Sequence, residues 1–277
     1  MSTWGFKLLV VATVAAAGAC TPSAIEPSAL RAQVPSVGLF PGERMRFDVT
    51  LAGMVVGEAQ LAVGEPGMVD GRPALAVSSQ VTAAGVASMV VNVQDDASTV
   101  IDLTTWRPLS TAGDATYGKN HVVSAATYDG DKVKVRFQRN TSPESKLSFA
   151  FDGRLPLDAH TAIAAVRMWD AVPGEELELW MVGGKRVWHV DVVMNGRETI
   201  GTDDGNRAAL RFDGVAQRMK RDLTPDKPTP RTFSVWVSDD ADRVPLKVRT
   251  DTEYGDVVLT LTSYEAGHEV EPASGTP

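Results

Sequence analysis

The sequence holds one cysteine and four histidines in 277 residues. With Cys20 alone no intramolecular disulfide can form, and a cysteine-based metal cluster is excluded. His121, His160, His189 and His268 lie far apart, without a His-x-x-x-His pair, and read as structural or surface histidines. Aromatic residues amount to 6%, which is low for a surface that stacks on sugars. There is no Gly-x-Ser-x-Gly elbow, phosphate loop or dinucleotide fingerprint, so no catalytic, cofactor-binding or metal-binding residue is nominated. Cations are also short: 27 lysines and arginines face 35 acidic residues, with no basic stripe. Such a chain lacks the phosphate contacts on which nucleic-acid affinity rests.

What is present begins with an export signal. Lys7 precedes the apolar run Leu8 to Ala17, and Ala17-Gly18-Ala19 places small side chains directly before Cys20. A short apolar core ending in small residues is what a signal peptidase cleaves. Ten residues, apolar except for Thr13, are too few for the roughly 20 that span a bilayer. A cysteine at the cleavage point resembles the bacterial lipobox, although Leu is commoner where Ala17 stands. Residues 1–19 are thus expected to be a lipoprotein signal peptide and Cys20 the lipidated residue, anchored by its acyl chains. Thr21, where Asp would favour inner-membrane retention, leans the assignment toward the outer membrane, facing the periplasm. Residues 20–36 carry three prolines and read as a tether. A single β-rich domain is expected over 37–267, and a disordered tail over 268–277.

Period-two alternation dominates the body. Met45, Phe47, Val49 and Leu51 alternate with polar residues, as do Val133, Val135 and Phe137, Leu147, Phe149 and Phe151, and Leu177, Leu179 and Met181. Three further runs follow: Phe233–Val237, Val244–Val248 and Val257–Leu261. Each is the signature of a half-buried antiparallel strand. Turn signals stand at Asp70-Gly71, Asp129-Gly130-Asp131, Gly183-Gly184 and Asn195-Gly196. Residues 222–231 form a Pro-rich loop between strands, and Trp180 and Trp188 are placed to pair across the Gly183-Gly184 hairpin.

One segment has helical spacing. Ala159, Ala162, Ile163, Val166 and Trp169 share an arc, Asp158 is a candidate N-cap and Pro173 a stop, with His160 and Arg167 together on the opposite arc. The expected fold is mainly β: an antiparallel curved sheet, or an open or closed barrel, with one covering helix.

Several segments in order resemble a family of bacterial envelope proteins, the domain of unknown function numbered 3108. They are Phe40-Pro41-Gly42-Glu43-Arg44 leading into Leu51–Ala59, then Asp158 with Arg167, and Gly196-Arg197-Glu198 followed by Thr202. The last is Trp236-Val237-Ser238-Asp239-Asp240 continuing through Arg243 to Pro245 and Leu246. Here Ala159-His160-Thr161 replaces the serine that usually follows the helix aspartate. The resemblance singles out Gly42, Glu43, Asp158, Arg167, Trp236, Asp239, Asp240 and Pro245. It implies an all-β envelope domain and carries no reaction.

Paired aspartates at Asp95-Asp96, Asp203-Asp204 and Asp239-Asp240 are assigned to turns, where carboxylates cap backbone N–H groups. A hydrolase of envelope glycans or lipids would need Asp239 or Asp240 facing another acid across a groove. The leading expectation is instead a non-enzymatic lipoprotein whose curved sheet binds an apolar ligand or an envelope partner. An assembly factor using sheet edges or the His160–Arg167 face is the alternative.

Overall fold

The computed structural model describes residues 38–85, 92–202, 205–226, 230–252 and 255–268. The expected signal peptide and tether, Cys20, the Asp203-Asp204 pair and the residues beyond His268 lie outside the described residues.

The first half of the chain is a run of β-strands: β1 (Arg44–Leu51), β2 (Met54–Val63), β3 (Gly67–Val69), β4 (Arg72–Ala83), β5 (Val93–Asp102), β6 (Arg107–Tyr117), β7 (Asn120–Asp129), β8 (Lys132–Arg139) and β9 (Ser145–Ala150). The second half holds β10 (Pro156–Leu157), helix α1 (Ala159–Met168), β11 (Glu176–Gly183), β12 (Arg186–Thr202), β13 (Gly205–Met219), β14 (Arg231–Ser238), β15 (Pro245–Thr250) and β16 (Val257–Glu265). All belong to one sheet, in the order β10 to β16, then β1, β2, β4 and on to β9, with β3 on β4. Every pairing is antiparallel except β10 with β11.

The chain therefore starts in the middle of the sheet, meanders to one edge, crosses to the other, and meanders back until β16 pairs with β1. Only residues 151–155 separate β9 from β10. Five extended residues span at most about 20 Å, so the two edges must lie close. Their side chains meet: Val133, Val135, Phe137, Phe149 and Phe151 form one cluster with Trp180, Val182 and Val187. The sheet curls on itself and is sealed by packing rather than by a closing ladder. This meets the expectation of a curved, barrel-like sheet with one covering helix, α1, among the described residues.

Helix α1 sits in the trough. Asp158 caps it as expected, accepting from the backbone N–H groups of His160 and Thr161, while the Thr161 hydroxyl accepts from the Asp158 N–H. Ala162, Ala165, Val166 and Trp169 pack on Leu177, Leu179, Met194, Phe212 and Val235 of the second half. Ala164, on another side of the helix, packs against Val63, Leu75, Val77 and Ile101 of the first half. The helix leaves α geometry at Trp169, before Pro173.

Four expectations are corrected. Asn195-Gly196 is not a hairpin turn but a bulge within β12, where the register slips and Gly196 takes φ 142°, which favours glycine. The Asp95-Asp96 pair lies on β5 rather than in a turn, so its carboxylates point to opposite faces. Trp180 faces His189 across the hairpin, and Trp188 faces Met181, so the two tryptophans do not pair. Finally, His160 and Arg167 are 5% and 1% exposed. The polar arc of α1 is turned into the protein and offers no outer face to a partner.

Candidate functional site

Two of the residues singled out by the family resemblance, Glu43 and Arg167, form one buried ion pair. Both guanidinium ends of Arg167 donate to Glu43, at 2.8 and 2.6 Å, and neither side chain has any exposure. Arg167 also donates to the carbonyls of Asp242 and Arg243, and the Tyr264 hydroxyl donates to Glu43. Burial first, then the negative charge of Glu43, pushes the Tyr264 hydroxyl above the usual phenol range. Strand entry, helix and the β14–β15 turn are thereby tied at one point.

That turn is itself pinned by aspartates. The Ser238 hydroxyl and the Arg243 N–H donate to Asp240, and the Val244 N–H donates to Ser238. Arg197 pairs with Asp239 at 2.7 Å and Arg207 with Asp240 at 3.0 Å. Trp236 is buried and donates its indole N–H to Glu198. Pro245 opens β15 opposite Val237, and Gly42, with φ 80°, donates its N–H to Val63. The arrangement is a latch, in which Glu43, Asp239 and Asp240 each hold an arginine.

A second polar node stands at the start of α1. His160 reaches the Ser79 hydroxyl through Nε2 at 2.9 Å and the Thr99 hydroxyl through Nδ1 at 2.7 Å. Thr99 donates to Asp158, so Thr99 accepts from Nδ1–H and the unprotonated Nε2 accepts from Ser79. Burial holds His160 below its ordinary pKa, against the pull of Asp158. Tyr128 belongs to the same surroundings: burial and then the charge of Asp158 push its hydroxyl well above the usual range. Sequence reasoning missed this node, because Ser79 and Thr99 lie on strands more than 50 residues before the helix.

On the opposite face of the same strands lies a groove of about 600 Å³. It crosses β2, β4, β5, β6 and β7. One wall is the in-register row Gln60, Gln80, Asp96, Asp114 and Val123. The other is the row Ala62, Ser78, Ser98, Ala112 and Ala125. Small side chains on the second row leave the space, and the only sequence trace of it is an excess of Ala and Ser at alternate positions. Asp96 accepts from the amides of Gln80 and Gln94, and Asp114 meets His121 at 2.6 Å. Among the described residues no lysine or arginine pairs with either acid, and no group of three or more His, Cys, Asp or Glu could hold a metal ion.

Comparison with known proteins agrees with this architecture. A crystal structure of a beta-barrel-like protein of the domain of unknown function DUF1849, from Brucella abortus, superposes with a TM-score of 0.53. The two share 11% identity over 83% of this chain and 98% of that one. A candidate exported protein with a YmcC-like fold from Bacteroides fragilis matches at TM-score 0.38 and 7% identity, covering 83% of this chain and 100% of that one. A candidate lipoprotein from Parabacteroides distasonis matches at 0.33 and 7%, covering 83% and 99%. No curated protein matches the sequence. The family model for proteins of unknown function named DUF3108 matches residues 46–262, and the chain belongs to that family.

Proposed function

We propose that this protein is a non-enzymatic binding module of the bacterial envelope, tethered through lipidated Cys20 to the outer membrane, that takes an envelope partner in the groove across β2 and β4–β7. The observation that carries this reading is the groove itself: about 600 Å³ on a face pointing away from the helix-filled trough. The apolar side chains of the trough support it from the other side. Leu177, Met194, Phe212 and Val235 pack on the helix and on one another, so they serve as core and not as the wall of a lipid cavity. Binding rather than hydrolysis is favoured because Asp239 and Asp240 are held by arginines. The export signal and the Pro-rich stretch before residue 37 support the envelope placement.

Photocrosslinking in the native envelope tests it. Benzoyl-phenylalanine in place of Ala112, on the groove wall, should give a discrete adduct that is lost when Ser98→Trp fills the groove. The same probe in place of Arg249, on the outer face of β15, should give none. If the two positions yield the same adducts, or neither yields any, the groove is not a binding surface.

A further inference from the structure

Resting on that reading, we infer that the occupant of the groove is an extended segment of a partner protein carrying lysine or arginine near its middle, laid across the strands and not along them. Length is the first argument. The groove crosses five strands, and four inter-strand spacings of about 4.8 Å give about 19 Å. That matches about six residues of extended chain and far exceeds one ion. Width is the second. Ser78, Ser98, Ala112 and Ala125 form a wall too small to fill the space, which leaves room for a backbone and its side chains.

Charge is the third argument. Asp96 and Asp114 stand directly opposite each other on β5 and β6, near the middle of the groove. Like charges facing across a ladder destabilise a sheet. Three outward acids elsewhere hold arginines, Asp213 with Arg211, Asp226 with Arg218 and Asp256 with Arg249. Among the described residues, Asp48 facing Glu58 and Glu178 facing Asp191 share the groove pair's lack of a lysine or arginine but do not line the groove. In the groove the neighbours are two glutamine amides and a histidine. The unmatched pair is complementary to a cation brought by the occupant, and it repels an anionic lipid surface.

The test extends the crosslinking of Ala112 in the full-length lipoprotein. Sequencing of the crosslinked peptide should find lysine or arginine within about three residues of the attachment point. The charge reversal Asp96→Lys with Asp114→Lys should lower adduct yield at least tenfold, and the nearly isosteric pair Asp96→Asn with Asp114→Asn should lower it several-fold. The second variant guards against misfolding of the first. Adduct unchanged in both variants, a crosslinked peptide without a basic residue, or an adduct to lipid overturns this inference while leaving the groove a binding surface. Absence of any adduct at Ala112 overturns both readings.

Discussion

The two halves of the sheet share one ladder yet are held together by different chemistry. In the second half the concave face is apolar: Leu177, Val190, Val192, Met194, Leu210 and Phe212 close on the helix. Its outer face is laced with Arg–Asp pairs. In the first half the concave face adds to the apolar Val63, Leu75, Val77 and Ile101 a polar group, Ser79, Thr99 and Tyr128 around His160 and Asp158. The outer face there is lined by small residues and by acids without arginine partners. Apolar packing is tolerant in detail but strong in sum. A buried polar node is specific, and it is costly if one member is lost. The second half therefore reads as the scaffold, and the first half as the part shaped for something else.

The ion pair between the halves offers the largest test. Arg167 lies on the helix and Glu43 at the entry to β1, both fully buried. Arg167→Met leaves Glu43 buried and unpaired, which costs about 3–5 kcal/mol. The double variant Arg167→Met with Glu43→Leu removes both charges and should recover most of that loss. Urea unfolding of the three proteins measures this. A cost below about 1 kcal/mol for the single variant would show that the latch does not join the halves.

Two glycines give the next contrast. A Cβ on Gly214 would lie 1.9 Å from the Phe233 ring, so Gly214→Ala must push that ring out of the second-half core. Overpacking of this kind costs about 1–3 kcal/mol. A Cβ on Gly113 would meet the Ser124 hydroxyl at 3.2 Å, a side chain free to turn, and the Asp96 carbonyl at an ordinary 3.8 Å. Gly113→Ala should stay within about 0.5 kcal/mol of the parent. Equal shifts in Tm for the two would mean that the first half is packed as tightly as the second.

The polar node predicts a pH dependence that belongs to the first half. Burial lowers the pKa of His160 in the folded protein below its value of 6.5 in an open chain. The unfolded state then binds the proton more readily, so stability is complete above about pH 6.5 and falls as pH drops below it. Asp95, whose carboxyl is raised chiefly by burial, acts in the opposite sense at lower pH. The difference between the parent and His160→Gln isolates the histidine. The urea midpoint of the parent should fall more between pH 7.5 and 5.5 than that of the variant, and parallel curves would remove His160 from the account.

How far the sequence discloses this molecule follows the same division. Alternation marks strands wherever one face is apolar and the other wet, as in β1, β8, β11 and β14. It also marks the helix and its Asp158 cap. What it does not carry is pairing between distant segments. Nothing local says that β16 returns to β1, or that β10 lies at the edge opposite β1's other neighbours. Arg167 looked like an outward residue because its partner Glu43 is 124 positions away. Asn195-Gly196 has the composition of a turn, yet the long hairpin of β12 and β13 uses it to bend and continue. The signature residues were legible as a set, but the pairing of Glu43 with Arg167 was not. The groove left the faintest trace, since it arises from absent side chains and from the bend of the sheet.

The smallest predicted effect is also the sharpest separator of the halves, because it differs in sign. Asp213 sits between Arg211, which reaches it at 2.9 and 3.0 Å, and the Ser234 hydroxyl. Asp213→Asn removes an exposed but bidentate pair and should cost up to about 1 kcal/mol. Asp114 faces Asp96, and its own bond is to His121. Asp114→Asn keeps an acceptor while removing the repulsion, so it should stabilise by a few tenths of a kcal/mol. Salt should act oppositely as well, weakening the pair at Asp213 and relieving the repulsion at Asp114. Urea titrations at low and high ionic strength give both signs in one experiment. A stabilised Asp114→Asn would mean the fold keeps this acid at a cost, as expected of a residue held for a cationic partner. A destabilised one would return Asp114 to the structural ledger of the sheet, and the first half would lose its claim to be built differently.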